Sequence, residues 1–196
     1  MLLYEEINHI LKNKLPSHRY KHTQGVVKSA IELSKRFTVD INKTKYAALI
    51  HDNAKDLEEN ELIKLANEYN LEIDEVTKTE PALLHALVGC VLAKTKFGVE
   101  DKEILEAIKY HTTGKANMNK LEKIIYLADY IEEGRNFPEV ENIREAAKNN
   151  LDEAVLLALD NSIQYIIQSC KLIHPFTIEA RNDLLRKIYY NKEKKY

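Results

Sequence analysis

Only five glycines and four prolines interrupt these 196 residues. That scarcity constrains the fold more than any single motif, because hairpins and tight turns need residues that tolerate unusual backbone angles or end an element. Leu, Ile, Ala, Lys and Glu dominate the rest of the chain, and all are at home in helices. The expectation is an all-α fold: a helical bundle with apolar stripes turned inward.

The periodicity predicts a short amphipathic helix over 3–13. A longer one follows from 17 to about 37, with Ser17 as its expected cap and Val26, Val27, Ala30, Leu33 and Phe37 as its core stripe. Further helices are expected over 41–52, 58–69, 81–93, 101–108 (capped by Asp101), 120–133, 139–149 and 151–171. A break at 173–177 precedes a last helix reaching about 190. Residues 71–80 read as a loop or a short helical turn, and the charged tail 191–196 as frayed. No repeat or linker marks a second domain, so 1–196 reads as one domain. The apolar helix over 151–171 suits a core or a partner, which leaves a homodimer open.

Hydrophobic residues make up 44% and charged residues 31%, so the chain can build a real core. A formal net charge of −2 offers no basic field for nucleic acid as the main partner. No stretch approaches the ~18 apolar residues of a membrane span, and the first residues lack the pattern of a secretory signal. Cys90 and Cys170 show no metal spacing and read as small core residues in a reduced, cytoplasmic setting.

Against that helical background a few polar residues are out of place. The apolar run Tyr46-Ala47-Ala48-Leu49-Ile50 delivers His51 and Asp52 side by side, then Lys55. Neighbours on a helix point about 100° apart, so the pair can share one ion only where a helix ends or where other ligands converge. Asp129 lies in Ile124-Ile125-Tyr126-Leu127-Ala128-Asp129-Tyr130-Ile131, the most apolar stretch of the chain. A carboxylate buried there without a partner costs several kcal/mol. His22 shares a helix face with Arg19. His85 is followed four residues later by Gly89, which is expected to leave room on its face, and His111 opens the polar turn His111-Thr112-Thr113-Gly114. His9 and His18 read as surface residues.

The candidate ligands are therefore His22, His51, Asp52, His85, His111 and Asp129. Imidazole and carboxylate suit first-row divalent metals. Four histidines and two carboxylates exceed the needs of one ion. They suffice for two ions bridged by a carboxylate, about 3.5 to 4 Å apart, or for one ion plus phosphate-binding histidines. Arg19, Lys55 and Arg135 can neutralise phosphate oxygens, so the substrate expected is a phosphoanhydride or phosphoester.

The order His22, His51-Asp52, Asp129 resembles the signature of the HD superfamily of helical metal-dependent phosphohydrolases. The chain is similar to its YqeK branch in Arg19-Tyr20-Lys21-His22-Thr23, His51-Asp52-Asn53-Ala54-Lys55, Leu84-His85-Ala86, Tyr110-His111-Thr112-Thr113-Gly114, Tyr126-Leu127-Ala128-Asp129-Tyr130-Ile131-Glu132 and Ile173-His174-Pro175. One departure is Glu132-Glu133-Gly134-Arg135, where that branch usually has a Glu-Pro-x-Arg type of turn; the arginine is kept.

The resemblance implies symmetrical hydrolysis of a dinucleoside tetraphosphate, diadenosine tetraphosphate giving two ADP. It implies iron, as one or two ions, with manganese, cobalt or zinc also admitted by the ligand types. His22, His51, Asp52 and Asp129 would hold the principal ion, Asp52 bridging to a second that His85 and His111 complete, unless those two bind phosphate directly. Asp52, Lys55, His111 and Asp129 are the expected catalytic residues. Arg19, Lys55, His111, Thr112 and Arg135 would stabilise charge on the phosphoryl oxygens. The turn Leu172, Ile173, His174, Pro175, Phe176 and Thr177 is expected to lie against the nucleotide, together with His85. With no tryptophan, a Tyr, Phe or His ring must stack on the base, and the sequence does not say which. The alternatives are another nucleotide phosphohydrolase of the same superfamily, a 5'-nucleotidase or cyclic-nucleotide phosphodiesterase, or a nucleotide-binding module without turnover.

Overall fold

The computed structural model describes residues 1–190, and the tail expected to fray, 191–196, lies outside them. The described residues form eleven α-helices and no strand: α1 Tyr4–Lys14, α2 Ser17–Phe37, α3 Ile41–Ile50, α4 Glu59–Glu68, α5 Glu75–Thr79, α6 Leu84–Phe97, α7 Lys102–Lys109, α8 Lys120–Ile131, α9 Val140–Ala146, α10 Leu151–Gln168 and α11 Pro175–Leu185. A 3-10 turn, Pro81–Leu83, leads into α6, and Arg186–Tyr190 closes the described chain as a π-helical turn.

Short polar side chains set five of the eleven starts. Asp40, Asp74, Asp101 and Asn150 each accept two backbone N–H bonds at the head of α3, α5, α7 and α10, and Asn119 with Glu122 forms a capping box on α8. Removing one such cap typically costs ~1 kcal/mol. Ser17 is no cap: it is the first residue of α2, preceded by Pro16 at the cap position with no side-chain bond, so proline's fixed φ starts that helix. The segment read as a loop or short turn holds α5, begun by Asp74.

α2, α3, α7 and α8 form the centre, with α10 laid against α8, and α9 and α11 against α10. Val26, Ala30, Ala47, Ile50, Ala107, Ile108, Ile124, Ile125 and Leu127 are all sealed from solvent there. α6 packs on α7 and carries α4 on its outer side over a smaller apolar cluster of Leu62, Ala66, Leu84, Val88 and Leu92. α8 is buried on nearly every side because helices surround it, which explains its unbroken apolar run. α10 behaves differently. Its first half is core, through Leu151, Ala154, Val155, Ala158 and Leu159, while Tyr165 and Ile167 near its end are exposed. Cys170, expected in the core, is exposed as well: α10 stops at Gln168 and Cys170 turns left-handed (φ 53°), which carries it off the packed face. Cys90 is half-buried, and both thiols are free.

Of the helices that end short of the expected bounds, two matter for the site. α3 stops at Ile50, not 52, and α8 at Ile131, not 133. α6 instead runs on to Phe97 and ends at Gly98, whose φ of 68° suits a residue without a Cβ. No helix among the described residues is long and apolar enough to cross a membrane.

Candidate metal centre and active site

The end of α3 resolves the His-Asp problem. His51 keeps helical angles as the C-terminal cap of α3, the chain then tightens into turns (Asn53 N–H to the Ile50 carbonyl, 3.0 Å), and side chains from other helices converge on the His51-Asp52 pair in one cleft. Asn53 secures that turn. Its amide nitrogen donates to the carbonyls of Ile50 (2.8 Å) and Gly89 (2.9 Å), and a Cβ on Gly89 would lie 3.3 Å from it. The small residue on α6 therefore makes room for Asn53, and not, as expected, for His85 on the same helix.

All six candidate ligands meet. On one side of Asp52, its Oδ2 lies 3.8 Å from His22 Nε2 and 3.7 Å from His51 Nε2. Asp129 Oδ1 adds contacts of 3.0 Å to His22 Nε2 and 4.0 Å to His51 Nε2. On the other side, Oδ1 lies 3.4 Å from His85 Nε2 and 3.3 Å from His111 Nε2. Two sets, His22–His51–Asp129 and His51–Asp52–His111, offer ligand atoms within 4.8 Å of one another.

The tautomers are fixed from behind. His51, His85 and His111 each donate Nδ1–H to the carbonyl three residues earlier, of Ala48, Ala82 and Ile108. A carbonyl can only accept, so the proton sits on Nδ1 and each Nε2 presents a lone pair to the cleft. His22 does the same through Glu132, 3.1 Å away. The arrangement then needs a positive charge. His22 Nε2 and His51 Nε2 are buried without a hydrogen-bond partner, and the Nε2 atoms of His85 and His111 stand 3.2 Å apart. Lone pairs aimed at lone pairs and carboxylates repel unless a cation lies between them. The donor set fits a divalent metal ion.

Burial lowers the His51 imidazole to about pH 4 and also lowers His85, so both stay neutral. Burial acts the same way on His22 and His111, but Asp129 with Glu132, and Asp52, override it and raise both. Asp129 is lowered although burial opposes this, because His22 Nε2 lies 3.0 Å from it and His51 and Arg135 attract its charge. Burial also lowers Lys55, whose Nζ lies 3.4 Å from His85 Nδ1. Arg135 donates to Asp129 Oδ1 (2.6 Å) and to its backbone carbonyl (2.9 Å). Arg19 is shared between Asp52 (2.9 Å) and Asp56 (3.1 Å).

A cavity of about 750 Å³ opens beside this cluster, lined by Lys55, His111, Thr112, Asp129 and Arg135 and walled by aromatic rings. Tyr126 and Tyr130 come from α8, their rings parallel and 6.3 Å apart, and Phe137 meets Tyr130 edge-on at 5.0 Å. Asn161, Ser162 and Tyr165 of α10 form the far side; Asn161 accepts from the Tyr130 hydroxyl at 2.7 Å. These rings and α10 residues were missed by sequence reasoning. Tyr126 and Tyr130 flank Asp129 and lie in the segment 126–132 that carries the family resemblance, which are the signals that pointed to them.

The expected nucleotide-facing turn divides. Thr177 lines this cavity, whereas His174 and Phe176 line a neighbouring one of about 380 Å³ that shares the Thr112 wall. Leu172, Ile173 and Pro175 line neither. His174 serves as the cap of α11, accepting from Phe176 N, and bonds Asp74 through Nε2 at 3.0 Å. Arg19 is not on the cavity wall. His9 and His18 are exposed, as expected.

Residues 19–134 match the family model described as HD domain. The chain belongs to the HD-domain family. This HD-domain chain is 42% identical over 176 residues to a protein of Halalkalibacterium halodurans named symmetrical bis(5'-nucleosyl)-tetraphosphatase, covering 90% of the chain and 94% of that protein. A protein of the same name from Bacillus subtilis is 38% identical, over 92% of the chain and 97% of its own length. The crystal structure described as a predicted HD superfamily hydrolase involved in NAD metabolism from Clostridium acetobutylicum superposes with a TM-score of 0.92. It is 41% identical, over 95% of this chain and 99% of that one.

Proposed function

We propose that this HD-domain chain is a hydrolase that cleaves diadenosine tetraphosphate symmetrically into two ADP, as a single domain in the cytoplasm. The observation that carries the reading is the junction of two features. Four Nε2 atoms gather around the Asp52 carboxylate, with Asp129 beside two of them, and that cluster borders a cavity with Lys55, Arg135 and four aromatic rings. The relatives named symmetrical bis(5'-nucleosyl)-tetraphosphatase supply the substrate. Every candidate ligand comes from the same chain, so the site needs no second copy.

Iron is the proposed metal; His22, His51, Asp52 and Asp129 would hold it, with His85 and His111 completing a second position across Asp52. A divalent ion there supplies Lewis acidity, polarising water towards hydroxide and drawing charge from phosphoryl oxygens. The chain's own residues do the rest. Lys55 and Arg135 stand on the cavity wall where a polyphosphate would place its oxygens, and the Thr112 hydroxyl can donate beside them. Lys55 is half-buried, so its ammonium is only partly screened by water. Tyr130 and Phe137 offer apolar ring faces for one adenine. If the cavity takes one ADP half, the anhydride presented to the ligands is the central one, and the products are two ADP.

Incubation with diadenosine tetraphosphate and divalent iron, followed by anion-exchange chromatography, tests this. ADP is expected as the sole first product, and chelation should abolish its release. ATP with AMP would overturn the symmetrical assignment, and turnover of AMP or a cyclic nucleotide in its place would move the chain to another nucleotide phosphohydrolase.

A further inference from the structure

His22 differs from the other three histidines of the cleft. His51 and His111 follow the ends of α3 and α7, where the carbonyls of Ala48 and Ile108 have no helical partner and are free to hold Nδ1–H. His85 uses Ala82 of the 3-10 turn. His22 lies inside α2, where the nearby carbonyls are taken; that of Arg19 also accepts the Thr23 hydroxyl at 3.0 Å. It needs an acceptor from elsewhere, and Glu132, just past the end of α8, supplies one.

Glu132 is a built feature. It is 5% exposed, yet carries a carboxylate. Oε1 accepts from His22 Nδ1 at 3.1 Å and Oε2 from the backbone N–H of Gly134 at 2.6 Å. Arg144 donates to its backbone carbonyl at 2.7 Å and to that of Ile131 at 2.9 Å, holding the end of α8 in place. Two glycines make the space. A Cβ on Gly25, three residues after His22 on the same helix, would stand 2.5 Å from Oε2, and one on Gly134 would stand 2.9 Å from Oε1. At either distance the carboxylate would have to move from its place.

We propose that Glu132 is a positioning residue for the cation site: through Nδ1–H it fixes the tautomer and ring orientation of His22 so that Nε2 faces the cleft, and Gly25 is small in order to admit it. The inference rests on His22 facing a cation and is independent of the substrate. A carboxylate behind a ligating imidazole also makes its free nitrogen more basic, and loss of such a partner commonly weakens metal binding by about 10- to 100-fold.

Two variants test it, with cobalt(II) as the probe, added to metal-depleted protein and followed by equilibrium dialysis and its visible spectrum. In Glu132→Gln one of the two accepted bonds meets an NH2 group, so either Gly134 or His22 faces a donor. In Gly25→Ala the helix gains a better helix former while Oε2 is displaced. Both are expected to lower cobalt affinity about 10- to 100-fold with the thermal midpoint of the metal-depleted protein nearly unchanged. 15N shifts of metal-depleted protein should show His22 protonated at Nδ1 in the wild type, with a mixture of tautomers in Glu132→Gln. Wild-type cobalt affinity in both variants overturns the proposal, as does a drop in the midpoint with affinity intact, which would make Glu132 a structural residue. A wild type that takes up no cobalt overturns it together with the metal reading. Wild-type uptake with unaffected variants overturns the positioning role alone.

Discussion

Asp52 divides the site into two unlike halves. The half at Oδ2 holds His22, His51 and a second carboxylate, Asp129, with Arg19 and Arg135 bonded to its acids. The half at Oδ1 has only two imidazoles, His85 and His111, with Lys55 beside them. Negative charge therefore gathers on one side and neutral donors on the other. Charge is what holds a hard divalent ion most firmly, so on the proposed reading the Oδ2 half binds first and the Oδ1 half second and more weakly.

The largest effect should come from the residue common to both halves. Asp52→Ala should remove metal from both and lower kcat by on the order of 10³ or more, since one preorganised electrostatic group alone is worth 10²–10³; metal content and ADP release measure the two together. Retention of two ions would dissolve the bridge on which the comparison depends. Asp129→Ala acts on the Oδ2 half alone and should cost metal and phosphate chemistry in parallel, by a factor somewhat below that of Asp52→Ala.

His85→Ala probes the other half. Bound metal is expected to fall by one equivalent at limiting ion concentration, with kcat down about 10- to 100-fold; an unchanged stoichiometry would show that the Oδ1 half serves phosphate and not an ion.

The two halves also share one acid-sensitive member each. His22 and His111 are raised above the ordinary imidazole value, and an ion can bind only after their Nε2 protons leave. Lowering the pH through those raised values favours the proton, so metal affinity should weaken by about tenfold per pH unit for each proton displaced. Raising the pH above them should change nothing. Titration calorimetry in buffers of different ionisation heat counts the protons. The smallest effect is expected outside both halves: Tyr130→Leu should raise KM about fivefold with kcat kept, the lower end of the ~1–3 kcal/mol that stacking of a base on a ring is worth, because other rings of the wall remain.

The candidate ligands stand out in the sequence because each breaks a local rule. Asp129 is a charge in an apolar helix, His51-Asp52 ends an apolar run, and His111 precedes hydroxyls and a glycine. The cavity was harder to read. Tyr126, Tyr130 and Phe137 look like ordinary core rings along the chain, and only the packing of α10 against α8 turns them into a wall around open space. Glu132 was hidden for a related reason. It sits beside exposed Glu133 in an apparently solvated turn, and nothing in one dimension shows that Gly25, more than a hundred residues earlier, is the gap it fills. The same holds for the turn at 172–177, whose residues face different cavities because α11 begins in its middle.

One measurement goes most directly to the claim that a cation joins these side chains: anomalous scattering from crystals grown without added metal, recorded on both sides of the iron edge. The expected result is a peak that vanishes below the edge, bonded to Nε2 of His22 and His51, Oδ2 of Asp52 and Oδ1 of Asp129, with any second, weaker peak across Asp52 at His85 and His111. Density showing those four Nε2 atoms bonded only to water, with no anomalous peak in reach of Asp52, would contradict it.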